Sequence, residues 1–321
     1  MAQSKGHILP IVVTILLQLC SYGMAFTHNG VMHTWPANTA RNKITKAEAY
    51  SLEKQEAGMS SAVKLAKKPI LIFPAQFSVP NDYLPMCQDL ERRGHRAYVA
   101  ELSRADWLRI VPATLTADYW RGTLKPKECL GFFFEGVEKA LRKVQEENPG
   151  SQIHAVGHSI GGWIARAYLG EVCDEATCNQ FCSLTTLGTP HQGPPADSPM
   201  ASFEQTRGLL SYVNTNFPGA YHGHMKYTCV CGSAQQGAIG ANVEEVLAYA
   251  SYLPLCGKGE AHGDGIVPLQ AAFLDDAERI IIPEAKHSGF LPTPGNSISL
   301  PENFKWYGSE DLISKWAEKL D

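Results

Sequence analysis

Ile153-His154-Ala155-Val156-Gly157-His158-Ser159-Ile160-Gly161-Gly162 is the stretch whose reading decides the fold. Residues 153–156 read as a short buried strand, and residues 163–169 read as an apolar helix. Between them lies Gly157-x-Ser159-x-Gly161. A serine two residues from a glycine on each side suits a tight strand-to-helix turn, because glycine removes Cβ atoms where the two backbones crowd together. Such a turn projects the hydroxyl free of its neighbours and aims the N–H groups of the following helix at an anion. With 28 Gly and 20 Ser in 321 residues, chance alone supplies about 0.15 such matches. The strand–turn–helix context therefore carries the reading of Ser159 as a nucleophile.

Outward from that turn, strands and helices alternate. Residues 70–73 form an apolar strand ended by Pro74, and Asn81 is placed to cap a helix running through Leu84, Cys87 and Leu90 to Gly94. A strand follows over 97–100. Phe133, Val137, Ala140, Leu141 and Val144 fall at helical spacing, and strands are expected at 183–187, 227–231 and 279–282. Leu312, Ile313, Trp316 and Leu320 mark a last amphipathic helix. This alternation predicts an α/β fold, a mostly parallel sheet of about six strands with helices on both faces. Residues 101–132 and 188–225 interrupt it and are rich in Pro, Gly, Trp and Tyr. Insertions this long are expected to build a lid or cap.

The 321 residues carry 28 basic and 32 acidic side chains, a net charge of −4, which excludes a basic nucleic-acid-binding surface. The charge is uneven. No acid precedes Glu48, while Lys5, Arg41, Lys43 and Lys46 do, leaving 24 basic against 32 acidic groups in residues 48–321, a net of −8. Lys5, the apolar run 8–20 and the small residues Gly23 and Ala25 read as a secretory signal peptide over residues 1–25. The acid-free, basic segment 26–47 resembles the transit half of the bipartite presequences that lead into complex plastids of some algae, with Phe26 at its start. Plastid import is placed first and simple secretion, with 26–47 as a disordered leader, second. Residues 48–321 are then one domain.

A serine hydroxyl needs a base to take its proton and a carboxylate to orient that base. In chain order after Ser159, Gly263-Asp264-Gly265 supplies the acid and Lys286-His287-Ser288 supplies the base. Asp275, Asp276 and Glu284 compete for the acid role, and His262 for the base role, but His262 precedes Asp264. The oxyanion donors expected are the amide of Ile160 and one from the loop after the first strand, Gln76 first and Phe77 second. Phe77, His158, Trp107 and Leu210 are the candidate substrate contacts, with local packing as the competing reading for His158. His154 reads as a core histidine, and His191 as part of the pocket wall.

These segments resemble the α/β-hydrolase superfamily, within its lipase-like serine hydrolases. Gly-His-Ser-Ile-Gly-Gly at 157–162, Leu-Gly-Thr-Pro-His at 187–191 and Gly-Asp-Gly-Ile-Val-Pro at 263–268 carry that resemblance. More narrowly, Ala105–Arg109, Tyr119–Gly122, Thr206–Leu210, Tyr212–Asn214 and Trp306–Gly308 make the chain similar to a plastid and cyanobacterial lipase-like group. The resemblance spans 69–320 and implies Ser159 as nucleophile, Asp264 as acid and His287 as base. Ala75 departs from it, since such lipases usually carry Gly there, and Ala is tolerated only at negative φ.

The chemistry so expected is cleavage of a carboxylic ester, small-molecule or lipid, through an acyl-enzyme. An acyltransferase with the same triad and a non-catalytic binding protein are the alternatives. No cofactor and no metal is required, contact with a membrane surface is allowed for, and the oligomeric state stays open. Cys173, Cys178 and Cys182 lack the CxxC spacing of a zinc site, and a disulfide between two of them is expected, with reduced thiols as the alternative. Cys229 and Cys231 read as buried strand residues.

Overall fold

The computed structural model describes residues 67–201, 204–240, 242–292, 297–301 and 303–320. The signal peptide and leader expected over 1–47 lie outside the described residues. Six strands make the central sheet: β1 (Ile70–Phe73), β2 (Ala97–Val99), β3 (Ile153–His158), β4 (Phe181–Leu187), β5 (Lys226–Gly232) and β6 (Glu278–Ile282). Their spatial order is β2-β1-β3-β4-β5-β6, parallel throughout, with Ile72 beside Val156, Val156 beside Thr185, Thr185 beside Thr228 and Thr228 beside Glu278. All six expected strands are present, in one parallel sheet with helices on both faces, which is consistent with the α/β-hydrolase fold expected.

The period of two along each strand decides which helices it can hold. Ile70 and Ile72 of β1 join Val156, Leu187 and Val230 under α1 (Leu84–Arg92) and α6 (Glu310–Ala317). Leu71 and Phe73 turn the other way, into a cluster with α2 (Gly131–Glu147) and α3 (Ile160–Ala167). Covering both faces is what lets parallel strands read as continuous apolar runs. Asn81 does not cap α1: a 3-10 turn over Pro80–Tyr83 intervenes, and Tyr83 is the N-cap. Gly94 does close α1, at φ +98.

The two insertions are tied to each other. In the first, Ser103 caps a 3-10 helix over Arg104–Leu115. In the second, α4 (Leu209–Asn216) begins at Gly208, whose φ is +104 and where a Cβ would sit 2.2 Å from the Gly122 carbonyl. Arg207 donates to the carbonyls of Tyr119 and Trp120. A further helix, α5 (Val243–Cys256), has no counterpart in the periodicity reading. No described helix is long and apolar enough to cross a membrane.

Candidate active site

Ser159 stands between β3 and α3 at φ 56, ψ −131, a conformation that a residue with a Cβ adopts only under constraint. Three glycines supply that constraint. A Cβ on Gly157 would meet the Cα of Gly162 at 2.3 Å, and one on Gly161 would meet the Phe73 carbonyl oxygen at 2.1 Å. One on Gly162 would overlap Thr189. The turn is therefore clamped between the end of β1 and the end of β4, where the Ser159 amide donates to the Leu187 carbonyl at 2.9 Å.

The three residues expected to act together are brought together. Ser159 Oγ lies 3.0 Å from His287 Nε2, and His287 Nδ1 lies 2.8 Å from Asp264 Oδ2. All three are buried, with Ser159 keeping 8% and His287 7% of their surface exposed. An ionised Asp264 only accepts, so the network assigns the hydrogen to Nδ1 and leaves Nε2 to accept from the serine hydroxyl.

Asp264 is saturated. Its Oδ1 accepts the amides of Ile266 (3.0 Å) and Val267 (2.7 Å), and its Oδ2 accepts His287 and the Tyr307 hydroxyl (2.6 Å). Burial alone would raise its pKa, but His287, Tyr307 and the Val267 amide hold it below the ordinary carboxylate value. Tyr307 is a site residue that the motif reading did not single out. Its oxygen also accepts the Gly232 amide at 2.8 Å, joining the acid to the end of β5.

The loop after β1 carries the other half of the site. Ala75 has a negative φ and is accommodated, and the left-handed position falls on Phe77 at φ 60. The Ala75 amide is used, donating to Tyr83 at 2.8 Å. The amides of Gln76, Phe77 and Ile160 have no acceptor among the described residues.

The remaining candidates sort by contact. Phe77 packs at a tilt against Trp107, ring centres 5.5 Å apart, and Trp107 in turn packs on Phe132 and Phe133. Trp107 and Leu210 are buried in the large cluster. His158 is corrected as a substrate contact and follows the competing local reading: it is 1% exposed, with Nδ1 bonded to Tyr83 and Nε2 to the His287 carbonyl. β3 alternates, and His158 shares the face of Val156, beneath the catalytic edge. His191 is likewise fully buried, bonded to Thr186 rather than walling a pocket. His154 is the core histidine expected, bonded to Ser183.

The disulfide expectation is also corrected. Cys173, Cys178 and Cys182 are free thiols, each held by burial above the ordinary thiol pKa, Cys173 at about 12. Cys173 approaches the Leu169 carbonyl as well as the Cys178 thiol, and Cys182 approaches the Ile153 carbonyl. Among the described residues, no group of three or more His, Cys, Asp and Glu side chains is arranged to hold a metal.

Residues 96–253 match the model of the palmitoyl protein thioesterase family. That segment contains Ser159 and ends before Asp264 and His287. No curated protein matches the sequence. Among solved structures, a lipase of Bacillus licheniformis is similar at 17% identity, over 70% of this chain and 86% of the other, with a TM-score of 0.43. A metagenomic carboxyl esterase is similar at 10% identity over 99% and 97%, TM-score 0.46. A phospholipase of Legionella pneumophila is similar at 14% identity over 70% of this chain and 54% of its own, TM-score 0.44. The family match, over just under half of the chain, supports an α/β-hydrolase of the lipase-like serine hydrolase kind, a carboxylic ester hydrolase.

Proposed function

We propose that Ser159, His287 and Asp264 are the catalytic triad of an acyl hydrolase whose substrates are lipid acyl esters or thioesters. The hydrogen-bonded chain from Ser159 through His287 to Asp264 carries this reading. Ser159 Oγ attacks the carbonyl carbon while its proton passes to His287 Nε2, and the amides of Ile160 and Gln76 receive the oxyanion. Collapse expels the alcohol or thiol, which takes the proton back from His287. Water then repeats the sequence on the acyl-enzyme and releases the acid.

Two observations favour a long acyl chain. Phe77, on the oxyanion loop, continues into the aromatic group of Trp107, Phe132 and Phe133. Leu108, Val111, Leu115 and Trp120 of the first insertion are at least half or nearly half exposed, an apolar surface suited to a lipid interface. The family match supports a fatty acyl thioester in particular. The secretory leader at 1–25, with plastid import through 26–47, belongs to the same proposal and is tested by fusing residues 1–47 to a fluorescent reporter.

The deciding experiment is labelling with a fluorophosphonate, beside hydrolysis of acyl esters and thioesters of increasing chain length. Ser159→Ala should lose the label and about 10⁶-fold in kcat. Equal labelling of both proteins overturns the assignment. A rate that falls as the acyl chain lengthens would overturn the lipid part alone.

A further inference from the structure

His158 and Tyr83 lie outside the triad, yet they join its parts. The Ala75 amide donates to the Tyr83 oxygen at 2.8 Å, Tyr83 meets His158 Nδ1 at 2.8 Å, and His158 Nε2 meets the His287 backbone carbonyl at 2.9 Å. The directions are fixed by elimination. A carbonyl only accepts, so Nε2 carries the hydrogen; Nδ1 is then bare and Tyr83 must donate to it. Every member is buried, Tyr83 completely.

The two ends of this chain matter for catalysis. Ala75 immediately precedes Gln76, whose amide is free, and the same loop bends through Phe77 at φ 60. A strained loop holds its shape only when its surroundings fix it, and the Ala75–Tyr83 bond is such a fixing point. At the other end, the carbonyl of His287 is bound directly behind the imidazole that serves Ser159. His158 itself is the residue before the nucleophile, and its ring packs 5.2 Å from that of His287.

We infer that Tyr83 and His158 are positioning residues of ester hydrolysis, which set the oxyanion loop and the His287 backbone at a fixed spacing about Ser159. The inference rests on the triad reading above. Burial, with the charge of His287 second, pushes the His158 pKa down to about 3, so the ring stays neutral and its hydrogen-bond directions hold across the working range.

The test measures kcat and KM on a soluble ester, with active serines counted by fluorophosphonate titration. Tyr83→Phe keeps the ring against Phe290 and Trp306 but removes both hydrogen bonds. Its kcat per titrated serine should fall about 10- to 100-fold with KM within about twofold, the size expected when reacting groups are misplaced by an ångström or less. His158→Leu should fall as far. His158→Gln, which restores a donor near the position of Nε2, should recover most of the loss. The double variant Tyr83→Phe/His158→Leu should be no slower than His158→Leu, because both cut one path. A purely structural role would lower the melting temperature and the titre while leaving kcat per site intact. That result in Tyr83→Phe overturns the inference, as does equal impairment of the Gln and Leu variants. Should His158→Leu fail to fold, Tyr83→Phe decides alone. Full activity in Ser159→Ala would instead overturn the triad.

Discussion

Replacing Tyr307 by Phe removes one oxygen atom from the centre of the molecule and leaves the ring. That oxygen accepts the Gly232 amide at 2.8 Å and donates to Asp264 Oδ2 at 2.6 Å, with no solvent access to either. An amide left buried without an acceptor costs about 1–3 kcal/mol, and a lost hydrogen bond to a charged group about 1.5–3 kcal/mol. The combined loss of roughly 2.5–6 kcal/mol is a large share of the 5–15 kcal/mol typical of a folded domain. The carboxylate keeps the Ile266 and Val267 amides and His287, so the protein should fold, with a lower urea midpoint and an unchanged m-value. The pH dependence has a definite sign. Asp264 is held below its unfolded pKa, so it adds stability above that unfolded value and loses it as pH falls through the folded value. Without the Tyr307 hydrogen bond the folded pKa rises, so the gap between wild type and variant is widest near neutrality and narrows once Asp264 is protonated in both. Because Oδ2 also orients His287, kcat should drop by about tenfold. An unchanged urea midpoint at pH 7, or a gap that widens in acid, refutes this account of the acid.

Two further perturbations test the frame around the site. Gly161→Ala places a methyl group 2.1 Å from the Phe73 carbonyl oxygen and 2.7 Å from that of Pro74, which should cost about 3 kcal/mol in circular-dichroism melting. Gly131→Ala, at the start of α2 with open space around it, should gain up to about 1 kcal/mol. Acid stability should be governed by buried neutral histidines. For His158 the fall from the ordinary 6.5 to about 3, at about 1.36 kcal/mol per unit, amounts to about 5 kcal/mol of stability. It is fully present above pH 6.5 and is lost as pH falls toward 3. Melting temperatures from pH 7 to 4 should drop steeply in wild type and less in His158→Gln, and parallel curves would contradict the burial of that ring.

What was legible in the sequence follows from the range of each interaction. β1, β3 and β5 are buried on both faces, so their apolar runs announce them, and Gly157, Ser159 and Gly161 are fixed by a clash between backbones a few residues apart. Asp264 and His287 follow Ser159 in the order that chemistry asks for, and the fold brings the three side chains into contact. Tyr83 and Tyr307 act across 75 residues, to His158, and across 43, to Asp264, and no local period encodes such a partner. Spacing at 173, 178 and 182 did bring two thiols together, since Cys173 and Cys178 interact, but spacing alone does not decide whether such a pair is oxidised. Other misses had a local signal. α5 is announced by Asn242, whose side chain accepts the Glu245 amide, and by Gly257 at φ +76, but its mixed apolar pattern hid it. His158 was readable too. Counting by two from Val156, which faces the α1 and α6 layer, puts residue 158 on that same buried face. A polar side chain there must find buried partners, and the partners His158 finds are Tyr83 and the His287 carbonyl.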